Sequence, residues 1–398
     1  MELISSNMIS SNMIPREIFP NDIWQEIISI LPVQSALRMC VSKRFTELVY
    51  ISVREIDLDS VKRHEYYIHT NMDQYIRLER FTRLTKLNIS NHPVYCRDIA
   101  RFTSLTSLSA SENLGLTNGD VCELVNLTYL NISGTCINDS GISSLTNLVT
   151  LTACAMYNDG ITDAGVRNLA NLQYLRIDSD KISDISACDR LQRLYFDDEW
   201  SYISGDSLRR LTALVSLQLR YNDNVTDDDL SVMTNLCELS LCSNETITDD
   251  GVCTLTNLTS LDVSFSDIND ISMLDQLVEL KAFDCVLMGS LASLTNLTTL
   301  IIGRIHVGDG YHSTISRLTT LTTLVIEGST YTDETIRGLV RMRHLDIFYA
   351  GQGHWDISHM TNLETIHAHI PYITYTGGSP NLRVFDEPSG IDLRQYIR

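Results

Sequence analysis

The sequence predicts an α/β architecture: a curved parallel sheet of about fifteen turns, led by a small unit of three short helices. Three observations predict it. A core of the form Leu-x-x-Leu-x-(Leu/Ile/Val/Ala) begins at Leu84, Leu105, Leu127, Leu148, Leu172, Leu191, Leu214, Leu236, Leu258, Leu277, Leu297, Leu321, Met342, Leu363 and, degraded, Leu382. From Leu84 to Leu382 is 298 residues over 14 intervals, a mean period of about 21. Second, the stretch before a core carries helix-start chemistry, as in ITDDGVCTL at 247–255. Third, residues 18–50 lack the period and read as helices.

Each element follows from its pattern. In LTSLDVS, Leu258, Leu261 and Val263 point inward, the last two alternating as a strand requires. One such strand cannot bury its apolar side alone, so the turns must stack on a shared core. The return path is a short helix: Thr248 and Asp249 cap it, and Val252 and Leu255 share its inner side. Three returns, at Asp184-Ile185-Ser186, Asp270-Ile271-Ser272 and Asp356-Ile357-Ser358, are too short for a helix and predict irregular or 3₁₀ segments. Longer turns near Asn158–Val166 and Arg304–Ser316 predict outward bulges. VREIDLDS at 53–60 predicts an opening strand, with Ile56 and Leu58 inward.

A period in the twenties with this core is similar to that of leucine-rich-repeat proteins. The resemblance covers roughly three quarters of the chain, residues 84–387. It implies an Asn, Cys, Ser or Thr after each strand, bonded to the turn backbone. Asn113, Asn222 and Asn244 fit, Thr135, Ser266, Cys285 and Ser329 are variants, and Met156 and Ile305 depart.

The N-terminal part divides further. Residues 1–17 hold the polar duplication ISSNM-ISSNM and read as a disordered leader. In 18–50, Pro20-Asn21-Asp22 starts a helix, Ile23, Ile27 and Ile28 give it an apolar stripe, and Leu31-Pro32 stops it. Two more short helices follow, over 35–41 and 43–49. The order Phe19-Pro20-Asn21-Asp22-Ile23, Ile27, Leu31-Pro32, Leu37, Val41-Ser42-Lys43-Arg44-Phe45 resembles an F-box. Phe19 stands where Leu is commonest and Phe45 where Trp is, and both stay large and apolar. The resemblance implies docking on a Skp-type adaptor, and through it a cullin, by Phe19, Pro20, Ile23, Ile27, Leu37, Val41, Ser42 and Phe45. The alternative is an interaction solenoid whose helices merely cap the first strand, with no ubiquitin role. Residues 51–83 are a transition and first turn, in which Tyr66, Tyr67, Tyr75 and Phe81 read as core packing. Residues 388–398 close the array as a C-terminal cap.

Composition narrows the function classes. The net charge of −20, from 50 acidic and 30 basic residues, argues against nucleic acid or an anionic membrane as partner. Much of the acid stands where return helices begin, at Asp139, Asp227–Asp229 and Asp249–Asp250. Ten Cys lie scattered without a CxxC pair and predict reduced, packed thiols. There is no signal-like N-terminus and no long apolar run, which predicts an intracellular protein, cytoplasmic or nuclear, or in host cytoplasm if the source is viral. No nucleophile motif appears, so the expectation is no enzyme, no cofactor and no metal.

The F-box and repeats together imply a non-catalytic substrate receptor of a Skp–cullin–F-box ubiquitin ligase, with a protein target on the concave face. Strand residues that alternate with the inward ones face that side. Two groups stand out there: Tyr174, Arg176, Arg193, Tyr195 and Arg220, whose types dominate interface hot spots, and Phe283, Ile301, Val325 and Phe348, an apolar stripe that faces water unless covered. A weaker metal reading rests on His344, Asp346, His367 and His369.

Overall fold

The computed structural model describes residues 25, 43–57, 81–91, 99–154, 160–196, 202–287, 290–303, 311–328, 331–348, 355–368, 373–374 and 382–385. The chain forms two compact units, residues 1–136 and 137–398.

The first unit opens with helix α1 (Lys43–Ser52) and strand β1 (Glu55–Asp57). Strands β2 (Lys86–Asn88), β3 (Ser107–Ser109) and β4 (Tyr129–Asn131) follow, with the one-turn helix α2 (Asn118–Val121) before β4. The strands are parallel and pair in chain order, so Ile56, Leu87, Leu108 and Leu130 stand in one register row. All four are buried. On the N-terminal side, Leu48, Val49 and Val53 are buried, and the Tyr50 ring meets Phe81 edge-on at 4.9 Å. Helix α1 thus packs on the opening turn through its C-terminal half. Of the expected adaptor-binding residues, Phe19, Pro20, Ile23, Ile27, Leu37, Val41 and Ser42 lie outside the described residues; Phe45 lies in α1, but its side chain is outside them.

The second unit repeats one plan. Its strands are β5 (Thr150–Ala153), β6 (Tyr174–Ile177), β7 (Arg193–Phe196), β8 (Ser216–Gln218), β9 (Glu238–Ser240), β10 (Ser260–Asp262), β11 (Glu279–Phe283), β12 (Thr299–Gly303), β13 (Thr323–Glu327), β14 (His344–Phe348), β15 (Trp355–Asp356), β16 (Thr365–Ala368), β17 (Ile373–Thr374) and β18 (Arg383–Phe385). One-turn helices α3 (Asp139–Ile142), α4 (Asp163–Val166), α5 (Gly205–Leu208), α6 (Asp227–Leu230), α7 (Asp249–Val252), α8 (Tyr311–Ile315) and α9 (Asp333–Ile336) make the returns. Each of the fifteen sequence copies carries a strand, β2 to β14, β16 and β18, while β15 pairs only with β17. The short returns after β6 and β10 hold no helix, and the third holds β15, all three lacking the length for a helical turn.

Hydrogen bonds between turns hold the stack. Asn113, Asn222 and Asn244 are buried, and their amides donate to Ile89 O, Ile203 O and Leu219 O of preceding turns. A second ladder runs outside: Asn126, Asn171, Asn235 and Asn257 donate to Thr103 O, Thr146 O, Thr212 O and Thr234 O. The helix-start acids are a third. Asp139 accepts from Thr162 N at 2.8 Å and Thr162 Oγ1 at 2.7 Å. Asp227 does the same with Thr248 N and Oγ1, Asp163 with Ser183 N and Asp184 N, and Asp249 with Asn269 N and Asp270 N. Each carboxylate thus holds down the return backbone of the next turn, a helix start after Asp139 and Asp227 and a helix-free return after Asp163 and Asp249. The approach is close: at Gly251 a Cβ would strike the Asp227 side chain.

The cysteines depart from expectation. Eight are described and free, but only Cys188, Cys242 and Cys285 are buried. Cys122 and Cys253 sit at the C-caps of α2 and α7, and Cys237 lies just before β9, where the pattern faces out.

Candidate protein-interaction face

Because a strand alternates, every core row has a partner row on the other face of the sheet. In the second unit one such row runs Tyr174, Arg193, Ser216, Glu238, Ser260, Glu279 from β6 to β11. The next runs Gln218, Ser240, Asp262, Lys281, Ile301, Val325, Asp346, His367 from β8 to β16. Arg176 pairs with Tyr195 at its near end.

Of the Tyr–Arg group, Tyr174, Arg176, Arg193 and Tyr195 fall on the paired strands β6 and β7. The Tyr174 and Tyr195 rings lie 5.6 Å apart and tilted. Arg176 and Arg193 are exposed beside them, and Tyr195 Oη shares a hydrogen bond with Ser216 Oγ at 2.8 Å. Arg220 follows β8, outside that strand pair. It is half-buried, its Nη2 reaches Cys242 Sγ at 3.7 Å, and its buried Nε has no hydrogen-bond partner among the described residues.

Beyond Tyr195 the face sinks into a hollow of about 170 Å³ lined by Ser216, Gln218, Glu238, Ser240, Asp262 and Lys281, among others. Asp262 is its buried acid, 8 % exposed. Burial pushes its carboxyl up from the ordinary aspartate value; hydrogen bonds from Ser264 and the charges of Lys281 and Arg220 offset part of that rise. Lys281 Nζ is held by Glu279 Oε1 at 3.4 Å. Sequence reasoning placed these residues on the strand faces but did not single them out. Two exposed aromatics, Tyr221 and Phe265, follow this face in turns with φ of 50° and 57°, a conformation that bulky side chains rarely adopt.

The expected apolar stripe is corrected. Phe283, Ile301, Val325 and Phe348 do come together, but as a buried cluster, each between 2 % and 6 % exposed. The reason is Gly303: it pairs with Phe283 and Glu327, and with no side chain of its own it leaves room for the Phe283 ring, which a Cβ there would strike. Burying these four side chains is a second small core, not an open patch.

The histidines pair locally. His367 Nδ1 lies 2.7 Å from Asp346 Oδ1, and His344 Nδ1 lies 2.8 Å from Thr365 Oγ1. His369 lies outside the described residues. Among the described residues no group of three or more His, Cys, Asp or Glu could hold a metal ion, and no helix is long and apolar enough to cross a membrane.

Comparison with known proteins agrees with this geometry. The family described as Leucine Rich repeat matches residues 124–145 and 254–274. No curated protein matches the chain. Among solved structures, a leucine-rich-repeat protein of Leptospira interrogans superposes with a TM-score of 0.61 at 16% identity, covering 92% of this chain and 98% of that one. The functional domain of InlJ from Listeria monocytogenes gives a TM-score of 0.54 at 21% identity, covering 86% and 75%. Period, parallel register and structural likeness together give this chain the leucine-rich-repeat fold.

Proposed function

We propose that the chain is a non-catalytic protein-interaction scaffold and, more narrowly, the substrate receptor of a Skp–cullin–F-box ubiquitin ligase, working inside the cell. One observation carries the scaffold reading: on β6 and β7 the sheet face presents Tyr174, Arg176, Arg193 and Tyr195 together, two of them exposed arginines, beside a polar hollow. Tyrosine and arginine bring large contact area with a polar end, the composition of interface hot spots. A photo-crosslinking side chain at 193, compared with one at the exposed Arg167 outside the sheet, tests it in cells. A protein adduct at 193 that disappears in Arg176→Glu is the expected result; equal labelling at 193 and 167 removes the face from consideration.

The narrower reading rests on the resemblance of residues 19–45 to an F-box, with Phe19, Pro20, Ile23, Ile27, Leu37, Val41, Ser42 and Phe45 as the docking set. In that role the chain's contribution is proximity, raising target concentration beside a ubiquitin-loaded enzyme. Purified Skp adaptor should be retained by the full chain and lost on Pro20→Ala with Ile23→Asp. No retention by the intact chain leaves the scaffold alone. The cap alternative is separated by removing residues 1–42, which spares the packed Leu48 and Val49: a tether leaves the melting temperature unchanged, a cap lowers it.

A further inference from the structure

The face of β6 to β10 is electrically polar along its length. Arg176 and Arg193 put positive charge on β6 and β7, and both are exposed. Glu238 on β9 and Asp262 on β10 line the hollow. Two cations stand near that end: Lys281, which also lines the hollow, has Nζ 3.4 Å from Glu279 Oε1, Arg220 has Nη2 3.7 Å from Cys242 Sγ, and both offset part of the cost of burying Asp262. Ser216 and Gln218 of β8, both uncharged, stand between the two ends.

We propose that this face binds one extended partner segment crossing the strands, with a lysine or arginine side chain entering the hollow against Glu238 and Asp262 and carboxylates lying on Arg193 and Arg176. The proposal rests on the scaffold reading and names its ligand chemistry. Strand spacing sets the ruler. β7 and β10 are three strands apart and β6 and β10 four, about 14 to 19 Å at ~4.8 Å per strand. An extended chain advances ~3.3 Å per residue, so base and acids are separated by about four to six residues. Charge complementarity fixes which end lies where, and guanidinium–carboxylate pairing supplies geometry at the arginine end. Asp262 is the buried half of the site. Its carboxyl is removed from water beside the hollow, a costly placement that Lys281 and Arg220 offset in part and a bound cation offsets further.

The test uses the full chain and fluorescein-labelled synthetic 14-residue peptides in polarisation titrations. Each peptide carries one lysine and a Glu-Glu pair on a Ser/Gly/Tyr background, in both chain directions, with separations of one, five or nine residues. The five-residue separation should bind at least tenfold tighter than one or nine in one chain direction. Arg193→Glu and Asp262→Asn should each weaken it about tenfold or more, and Arg167→Glu should not. Equal affinity at all separations, no binding by the five-residue peptides, or an undiminished affinity in Asp262→Asn overturns the proposal. Circular dichroism of each variant separates loss of binding from loss of fold. A crosslinked protein at 193 whose capture ignores Asp262→Asn sinks this inference and leaves the scaffold standing; no adduct at 193 sinks the scaffold reading itself.

Discussion

Replacing Asn244 by alanine isolates the inner asparagine ladder from the apolar core. The side chain is fully buried and bonds on both ends. Its Nδ2 donates to Leu219 O at 3.3 Å and Asn222 O at 2.7 Å, and its Oδ1 accepts from Thr246 N at 3.1 Å and Ile247 N at 2.9 Å. Asn222 O keeps the Thr246 hydroxyl at 3.3 Å, and half-buried Thr246 N is close enough to the surface to take a water. Two buried groups, the Leu219 carbonyl and the Ile247 amide, lose this partner. At ~1–3 kcal/mol for each unsatisfied group, the loss is about 2–6 kcal/mol. Stacked turns contact only their neighbours, so the effect is local. Hydrogen exchange of peptides spanning residues 236–258, read by mass spectrometry, should accelerate about 30- to 20,000-fold at tenfold per ~1.4 kcal/mol. Asn257→Ala is the control: its amide bonds Thr234 O at 2.8 Å in an exposed position, where water replaces it, for a loss within ~0.5 kcal/mol. If Asn244→Ala exchanges no faster than Asn257→Ala, the buried ladder is not what joins these turns.

Three further perturbations test other parts of the argument. Phe348→Ala should cost ~3–5 kcal/mol in urea titrations, because its ring is buried in the second small core; a cost near zero would restore it as an open surface residue. Gly303→Ala should cost ~1–3 kcal/mol by displacing the Phe283 ring, while Gly119→Ala, whose Cβ meets only Thr117 Oγ1 at 3.8 Å, should be neutral or stabilising; the same sign and size at both sites would mean Phe283 does not lie over residue 303. Asp262 has a folded-state pKa raised above its unfolded value, so the folded state holds its proton more tightly. Its cost to stability is absent below the ordinary aspartate value, grows as pH climbs to the raised folded value, and is constant above. Asp262→Asn should therefore raise the urea midpoint at pH 7 and leave it unchanged at pH 3, and an equal change at both would remove burial of the charge as the cause.

Much of this molecule is written in the chain itself. The recurring Leu-x-x-Leu cores set strand positions, strand count and inward faces, because an apolar residue at period two on a repeated segment has one way to be buried, against its neighbours in the stack. The caps at Thr248 and the missing helices of the three short returns followed from local chemistry and length. So did the Tyr174–Arg193 grouping, since register in a regular stack carries one turn's position to the next. What the sequence left open depended on neighbours about 20 residues away. The acids of the outer helices look like dipole chemistry in one dimension, and only the fold lays Asp139 or Asp227 on the backbone of the next turn. Phe283, Ile301, Val325 and Phe348 alternate as outward residues do, and only packing decides that an absent side chain at Gly303 lets them cover one another. Asp262 reads as one more acid on a strand until the structure removes it from water beside Lys281 and Arg220. Periodicity states which side of the sheet a residue takes; burial on that side is a property of the whole row, and the row exists only once the turns are stacked.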